Sequence, residues 1–517
     1  MPFLTTGWLL PAVYAIGWLL IIVQPRQHWR IARTTGLAGV LVTLLSVAAA
    51  AGSTHYASTG IDALGLVGAA LVSVLGWVII HFSSRYLTGD PLQSRFIGAM
   101  LFTLTSVGLL LLSRHLLIIV LAWTGTSVGL HFLLTHYPNR KAAQIVAHKK
   151  FLVSRCAELC LAFALILIYR STGTLWLDDV NQALGSMDTL PVSLHLAAAL
   201  IALAAILKTA QLPLHGWLIQ VMEAPTPVSA LLHAGVVNMG GFVLIRLADL
   251  ITLAPAAQWI LVVAGSTTAV LASLVMMTRI SIKVRLAWST CAQMGFMLLE
   301  IGLGLYELAL LHLIAHSLYK AHAFLSAGQT VELARQRDFA GASAPGGSPM
   351  ASIWAVLISG LLIAASVWVW RWIEPTLSLS PVTVMILALG LAPLLWFELN
   401  RSAALLLQGV GQVIVLIQLY LLWHLMFASI VPPVEAVPTA LTVWVVLCFI
   451  GLYSAQFWLR RHPLGRFART FYPWAYNGFY LDETFTRVTF RIWPAKLSPT
   501  QAQTRVNRLS SQPGELL

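Results

Sequence analysis

The sequence has 517 residues, of which 58% are hydrophobic and 9% carry a charge, and its mean hydropathy is +0.83. A water-soluble domain of this length does not have such a composition, so the sequence predicts an all-α polytopic membrane protein in a lipid bilayer. Lysine and arginine number 31 against 18 acidic residues. Such an excess can indicate a nucleic-acid partner, but the placement of the cations favours a membrane explanation and no nucleic acid.

Fifteen apolar runs have about the length that crosses the hydrocarbon core of a bilayer. They lie near residues 7–24, 34–52, 63–82, 97–113, 115–134, 151–169, 192–212, 228–248, 256–277, 284–303, 305–327, 351–370, 383–399, 403–427 and 438–459. We therefore expect about 13–15 transmembrane helices. The remaining segment, 460–517, combines arginines with aromatic residues, which is typical of a cytoplasmic interfacial tail or a docking surface.

Clusters of lysine and arginine follow alternate predicted spans. They comprise Arg26, Arg30 and Arg33; Arg85 and Arg95; Arg140, Lys141, Lys149 and Lys150; Arg279, Lys283 and Arg285; and Arg335 and Arg337. By the positive-inside rule, this pattern places the N-terminus outside and the tail in the cytoplasm. We expect a multi-pass protein of the bacterial inner membrane.

The stretch 208–241 places polar and helix-breaking residues inside an apolar region. Lys208 ends a predicted span, and an ionised lysine at the bilayer centre costs roughly 2.5–3.5 kcal/mol. Pro213 is expected to break the helix just beyond it, and Pro225 and Pro227 to break it again. Such breaks are tolerated in a bilayer where protein or trapped water pairs the freed backbone groups, so the stretch predicts a wet functional cavity.

An acid and a histidine accompany Lys208. Glu223 lies between the breaks, and His233 lies on the helix that follows them. Burial disfavours the charged form of a lysine and a nearby carboxylate favours it, so movement of a carboxylate or its proton would switch Lys208 between the two forms. The alternative is a lysine that snorkels from a helix end beside ordinary loop prolines. The agreement of lysine, breaks, acid and histidine favours a proton path.

Three further ionisable residues lie along one helix face in the span 305–327: His312, His316 and Lys320, at i, i+4 and i+8. A proton relay is the favoured interpretation because imidazole titrates near neutral pH. Structural hydrogen bonding and a zinc site are the alternatives. Against zinc, the sequence has no acid or cysteine at ligand spacing, and Lys320 would repel a cation.

Glu158 is the acid nearest in sequence to the Lys208 helix, and it follows Arg155 by three residues. Two interpretations stay open. The pair Arg155 and Glu158 can hold its own helix together as a local ion pair. Alternatively, Glu158 is the partner that modulates Lys208.

Several motifs resemble the antiporter-like membrane subunits of respiratory complex I and of multisubunit cation/proton antiporters, of the subunit-5 or L type. They are the stretch 208–241, the segments 150–155, 282–295 and 312–325, and the tail segment 476–483. The resemblance covers about residues 60–330 and a patch in the tail. It implies two inverted five-helix repeats, each built round a broken helix. It also implies a central proton-carrying Lys208, with His233 next in a water chain and His312, His316 and Lys320 as the link onward.

This resemblance suggests a division of the chain into five parts. They are N-terminal helices in 1–96, a first repeat with the Lys208 site in 97–250, a second, degenerate repeat in 251–400, C-terminal helices in 401–459 and the tail in 460–517.

The sequence departs from the family pattern at three points. Trp123, Thr124 and Gly125 stand where the family has Trp-Glu-Gly, so the usual glutamate is missing. No lysine occurs between Lys320 and Lys496, so the second broken-helix lysine has no counterpart. We also expect no lateral helix after the tail. These departures resemble the membrane subunit of the two-component Dab inorganic-carbon accumulation complexes.

That resemblance implies a proton-conducting subunit that couples cation flux to a large, soluble, zinc-containing, carbonic-anhydrase-like partner. The chain itself is then a transporter subunit and not an enzyme, with no cofactor or metal of its own, and zinc is expected in the partner. The alternative is a proton- or sodium-translocating subunit of a respiratory NADH dehydrogenase-type or Mrp-type antiporter complex. An intramembrane quinone-reacting or metal-dependent enzyme is disfavoured because the sequence lacks cysteine clusters and nucleotide-binding loops.

Overall fold

The computed structural model describes residues 8–52, 62–137, 140–329, 349–375, 377, 379–395, 403–427, 430–431, 438–462 and 464–492. These residues form α-helices joined by short connections. The first eleven helices are α1 (Leu9–Val23), α2 (His28–Gly52), α3 (Ala63–Tyr86), α4 (Gln93–Leu112), α5 (Leu116–Leu134), α6 (Lys141–Thr172), α7 (Leu177–Gly185), α8 (Val192–Lys208), α9 (Gly216–Ile219), α10 (Thr226–Ala234) and α11 (Met239–Arg246). The others are α12 (Ala248–Thr252), α13 (Pro255–Met276), α14 (Ile282–Gly302), α15 (Tyr306–Leu325), α16 (Pro349–Trp370), α17 (Pro381–Leu395), α18 (Ala403–Phe427), α19 (Thr439–Arg461), α20 (Arg466–Tyr476) and α21 (Leu481–Ile492).

The predicted spans coincide with helices along the whole described chain. Eleven helical segments of the described residues are long and apolar enough to cross a membrane, and α1, α8 and α17 are shorter apolar helices. The prediction of an all-α polytopic membrane protein is therefore confirmed. The amphipathic helix α7 corresponds to no predicted span, because its nine residues are too few to cross a bilayer.

Helix α6 is longer than the predicted span 151–169, since it begins at Lys141. Ten residues were missed at its start because the polar run that contains Lys149 and Lys150 does not look like a membrane segment. Both lysines are buried in the protein, at 0% and 6% exposure. Protein partners satisfy their ammonium groups, and the helix can therefore continue through this polar stretch.

The chain breaks after Lys208, as predicted. Helix α8 ends at this residue, and the half-helix expected over 217–223 is observed as α9 followed by a 3₁₀ turn at Gln220–Glu223. The next predicted span, 228–248, is confirmed as the apolar helical segment Thr226–Arg246, but its helix is not continuous. It is interrupted at Gly235 by the 3₁₀ turn Val236–Asn238, which joins α10 to α11.

Tertiary contacts explain this second break. Asn238 is buried, and its side-chain amide donates to the backbone oxygen of Ala234 and, at 2.6 Å, to Ser317 Oγ of α15. The backbone of Gly235 still donates to Leu231. The carbonyl of Ala234 and the amide of Gly235 are thus paired within the protein, as irregular backbone at membrane depth requires.

Close packing around glycines joins the central helices. A Cβ added to Gly265 of α13 would lie 2.5 Å from the backbone oxygen of Gly295 on α14. A Cβ added to Gly295 would likewise lie 2.6 Å from the oxygen of Gly265. Small residues at such crossings let two backbones approach and gain van der Waals contact, which drives helix association in a bilayer. Helices α13 and α14 consequently pack in close contact, and α14 also packs against α15.

The two inverted repeats and the five-part division of the chain stay predictions. The described structure is compatible with repeats in one respect, since α8 ends at Lys208 and α16 ends one residue before Arg371, and an irregular segment follows each. The two cations differ in environment. Lys208 is buried, whereas Arg371 is exposed and its Nε donates to the backbone oxygen of Leu377 at 2.9 Å.

The tail forms two short amphipathic helices, α20 and α21. Phe467, Tyr472 and Trp474 of α20 are about half exposed, in keeping with the predicted interfacial segment. Helix α21 instead docks on the protein through Asp482. Residues 493–517 lie outside the described part of the chain.

Candidate functional site

Lys208 occupies a pocket between α5, α6 and α8. Its ammonium Nζ donates to the backbone oxygen of Trp123 at 3.1 Å and to Ser127 Oγ at 3.2 Å. It also lies 5.0 Å from the centre of the Trp123 ring. The lysine side chain is 5% exposed, so its charge is separated from bulk water by protein. This burial rules out the snorkelling interpretation, in which the ammonium would reach the membrane surface.

The carboxylate nearest to Lys208 in the described structure belongs to Glu158. Oε1 of Glu158 lies 3.5 Å from Lys208 Nζ, while its two oxygens lie 2.7 and 2.8 Å from Nη2 of Arg155. Glu158 therefore takes part in both interactions that the sequence left open. It is a local ion partner of Arg155 and a neighbour of Lys208, and it bridges the two cations.

Thr124 does not take over the role of the missing family glutamate. Its hydroxyl donates to the backbone oxygen of Val120 at 3.0 Å, within its own helix. The side chain therefore satisfies itself locally, as threonine commonly does in apolar helices. The negative charge beside Lys208 comes from α6 and not from α5.

Lys150 is a second buried cation beside this pocket, whereas the sequence analysis assigned it to a cationic cluster and not to the site. Its Nζ lies 3.4 Å from the backbone oxygen of Ser127 and 5.8 Å from the centre of the Trp217 ring. Lys150 and Lys208 thus contact the same residue, Ser127, through its backbone oxygen and its hydroxyl respectively. The signal available in the sequence was a lysine pair at the edge of a long apolar run.

Lys149 anchors the irregular segment that follows Lys208. Its fully buried ammonium donates to Gln220 Oε1 at 3.2 Å and to Asp482 Oδ1 at 2.8 Å. Asp482 also accepts from Gln220 Nε2 at 2.7 Å. Gly216 makes room for this carboxylate, because a Cβ there would lie 1.4 Å from Asp482 Oδ1. The tail helix is thereby tied to the broken helix.

The predicted stripe on α15 lines a cavity of about 700 Å³ between α13, α14 and α15. His312, His316 and Lys320 all line it, together with Ser289, Gln293 and Arg285 of α14. Lys320 Nζ donates to Ser289 Oγ and, at 2.9 Å, to the backbone oxygen of Leu286. The shared helix face expected from the i, i+4, i+8 spacing is confirmed.

An acid missed in the sequence pairs with the first histidine of the stripe. His312 Nδ1 lies 2.9 Å from Glu300 Oε2, and Glu300 is fully buried on α14. The rings of His312 and His316 have their centres 6.0 Å apart. Both ring nitrogens of His316 are buried and lack a hydrogen-bond partner among the described residues. Structural hydrogen bonding therefore does not account for His316.

His233 lies next to this second group. Its ring stacks on Phe324 of α15 with the ring centres 4.5 Å apart, and both ring nitrogens are buried without a partner in the described part of the chain. It lies within electrostatic reach of Lys320 and His316. The structure thus joins His233 to the α15 group, while Lys208 and Glu158 form a separate pocket.

The structure describes the three prolines predicted at the break but not the side chain of Glu223. Pro213 lies in the irregular segment after α8, and Pro225 and Pro227 flank the start of α10. These positions agree with the predicted broken helix. The backbone of Glu223 ends the 3₁₀ turn, but its side chain lies outside the described structure. Its proximity to Lys208 stays a prediction.

Within the described ranges, no three histidine, cysteine, aspartate or glutamate side chains converge as a metal-ligand set. The stripe on α15 offers two imidazoles and Glu300, with Lys320 on the same face. A cation would be repelled by that ammonium. The absence of a metal or cofactor nevertheless stays a prediction.

Comparison with known proteins identifies the class first. The family described as "NADH:quinone oxidoreductase/Mrp antiporter, TM" matches residues 113–344. NADH-quinone oxidoreductase subunit L of Pseudomonas aeruginosa is 33% identical over 52% of this chain and 44% of its own. A structure of the Mrp complex from Dietzia sp. contains a chain with a TM-score of 0.58 and 22% identity, covering 97% of this chain and 59% of that one. The fold is that of an antiporter-like membrane subunit.

One relative is similar to this chain over nearly the full length of both proteins and identifies the family more closely. A probable inorganic carbon transporter subunit DabB of Hydrogenovibrio crunogenus is 40% identical over 500 residues, which cover 95% of this chain and 94% of the relative. The chain belongs to the DabB family of antiporter-like membrane subunits.

Proposed function

We propose that this chain is the proton-conducting membrane subunit of an energy-coupled inorganic-carbon uptake complex. The observation that carries the proposal is the buried pair of Lys208 and Glu158, 3.5 Å apart beside a broken helix, in a chain 40% identical to a probable inorganic carbon transporter subunit. A buried lysine with a mobile counter-charge can take up and release a proton.

The α15 group supplies the second half of the proposed path. His233, His312, His316 and Lys320 are titratable, and the last three line one cavity. Imidazoles that are not locked to protein acceptors can exchange hydrogen bonds with water, and protons can pass along them in either direction. Glu300 Oε2 lies 2.9 Å from His312 Nδ1 and can accept a hydrogen bond from that imidazole. On this proposal the chain moves protons and catalyses no reaction of its own.

A large, soluble, zinc-containing, carbonic-anhydrase-like protein is the proposed partner. Proton flow through the membrane subunit would drive hydration of carbon dioxide to bicarbonate in one direction on that partner. The energy is adequate, since one elementary charge crossing 100 mV releases about 2.3 kcal/mol, enough to shift an equilibrium by more than tenfold. On this proposal the complex lies in the bacterial inner membrane, with the tail of this chain in the cytoplasm.

The test combines transport with purification. Cells that carry the tagged full chain are expected to accumulate radiolabelled inorganic carbon, and Lys208→Ala is expected to abolish this accumulation. Lys208→Arg is the sharper variant, because arginine keeps the charge but does not release a proton at physiological pH, so it is also expected to be inactive. Immunoblots of membranes must show equal amounts of each variant. Normal accumulation by either variant would end the central-lysine proposal.

A proton- or sodium-translocating subunit of a respiratory or Mrp-type complex is the second candidate. It is favoured by the family match over 113–344 and by the likeness in fold to the Mrp complex chain. Purification of the tagged chain in mild detergent distinguishes the two. Co-purification of one large soluble zinc protein supports the carbon-uptake proposal, whereas a set of other hydrophobic subunits supports the second candidate.

A further inference from the structure

An open groove of about 540 Å³ lies where α1 and α5 end and α4 begins. It is separate from both the Lys208 pocket and the cavity on α15. Most of its lining is apolar, including Trp18 and Ile22 of α1, Phe102 of α4 and Val128 of α5. Ser94 and Arg95, from the first turn of α4, are its polar residues near the helix ends.

Arg95 is a free positive charge at this end of the groove. It is exposed and forms no ion pair with any acid in the described ranges. Its guanidinium lies 5.7 Å from the centre of the Phe132 ring, which also lines the groove. Arg26 and Arg30 lie in and just after the turn that follows α1, and both are exposed. Arg95 therefore gives the mouth of the groove a positive charge, and Arg26 directly follows the lining residue Pro25 in the chain.

The groove extends from this charged mouth into the membrane. Arg95 and Phe102 are seven residues apart on α4, which corresponds to about 10 Å along a helix. Gly98 lies between them and keeps the floor open. A Cβ at Gly98 would meet Ile21 and Trp18 at 3.9 and 4.0 Å, so a larger side chain would enter the groove.

We propose that this groove binds an anionic phospholipid, with an acyl chain along Trp18, Ile22 and Phe102 and the phosphate on Arg95 and Ser94. An apolar slot that ends in an unpaired arginine on the cation-rich face matches the two chemically different parts of such a lipid.

The test measures lipid retained by the full chain in detergent, by native mass spectrometry after addition of phosphatidylglycerol or phosphatidylcholine. The unmodified protein is expected to retain phosphatidylglycerol preferentially. Arg95→Gln removes the charged donor and should lower phosphatidylglycerol retention by about tenfold, to the level of phosphatidylcholine. Because Arg95 is exposed, this variant should fold normally.

A second variant tests the apolar part of the site. Gly98→Leu fills the groove and should lower the retention of both lipids. Its matched control is Gly411→Leu on α18, where the glycine is exposed and no atom lies within 4 Å of an added Cβ. The control should retain lipid like the unmodified protein.

Two results would overturn the proposal. One is equal retention of phosphatidylglycerol and phosphatidylcholine by the unmodified protein. The other is an undiminished phosphatidylglycerol preference in Arg95→Gln, which would place the lipid elsewhere. Neither measurement depends on proton or carbon transport, so failure here leaves the proposed function unaffected.

Discussion

The carboxylate of Glu158 lies between two cations and is closer to Arg155 than to Lys208. Arg155 is 40% exposed, so its interaction with the acid is weakened by solvent, whereas Lys208 is almost fully enclosed. Movement of the carboxylate toward Lys208 would stabilise the protonated lysine, and movement toward Arg155 would favour release of the proton. Glu158 is within 4 Å of both cations, which is the arrangement that such a switch requires.

We predict that Glu158→Gln impairs transport because it removes the counter-charge of Lys208 while keeping the shape of the side chain. Loss of one such interaction corresponds to about 1.4 kcal/mol or more, which is on the order of a tenfold fall in rate. Accumulation of radiolabelled inorganic carbon measures the effect. Glu483→Gln on the tail is the matched control, since Glu483 forms an exposed pair with Arg487. Equal activity of the two variants would exclude Glu158 as the modulator.

Hydrogen bonds join the tail helix α21 to the broken helix. Lys149 of α6, Gln220 of the 3₁₀ turn and Asp482 of α21 form one hydrogen-bonded group. Gln220 lies on the segment that connects Lys208 to α10, so the group joins that segment to α6 and α21. A short irregular segment has few internal hydrogen bonds, so this external tie fixes its position.

We predict that Asp482→Asn releases α21, because it leaves the fully buried Lys149 ammonium without its counter-charge. Asp482 is itself 28% exposed, so we expect a loss of about 2–3 kcal/mol, seen as a lower Tm and faster proteolysis between α19 and α20. Gly216→Ala should give the same result by displacing the carboxylate. Gly185→Ala is its control, because nothing lies within 4 Å of a Cβ there. A tail that stays protease-resistant in both test variants would show that the contact between Asp482 and Lys149 does not hold α21 on the protein.

We predict that Gly265→Ala destabilises the crossing of α13 and α14. The new methyl would meet the Gly295 backbone at 2.5 Å, and backbone moves less easily than a flexible side chain. Overpacking of this kind typically costs about 1–3 kcal/mol. Thermal unfolding in detergent measures the change against Gly360→Ala, whose Cβ would make an ordinary 4.0 Å contact with Ala388. Equal Tm values for the two variants would contradict the close crossing.

The alternation of cationic loops and the order of the helices predict one orientation of the chain in the membrane. Ser186, after α7, and the tail at Arg466 should lie on opposite faces of the membrane. Single-cysteine variants at these two positions, in a chain without its four native cysteines, test this with a membrane-impermeant maleimide. Ser186→Cys should be labelled from outside in intact spheroplasts, and Arg466→Cys should require permeabilisation. Reversed labelling would invert the topology.

The class of protein and most of its helices follow from the amino-acid sequence alone. Apolar runs of about twenty residues specify membrane helices strongly, because a bilayer leaves few alternatives for the backbone. The break after Lys208 was equally readable, since Pro213, Pro225 and Pro227 act locally. The common face of His312, His316 and Lys320 followed from helical periodicity alone.

Which distant residues meet depends on how the helices pack together. Glu158 and Lys208 are fifty residues apart, Glu300 pairs with His312 across two helices, and Asp482 reaches Lys149 from the tail. These contacts depend on how helices pack, and packing is set by small side chains and shape and leaves little periodic signal in a uniformly apolar sequence. For the same reason the sequence analysis did not predict the break at Gly235. The hydrogen bond from Asn238 to Ser317, which stabilises the broken segment, forms only after α10 and α15 have come together.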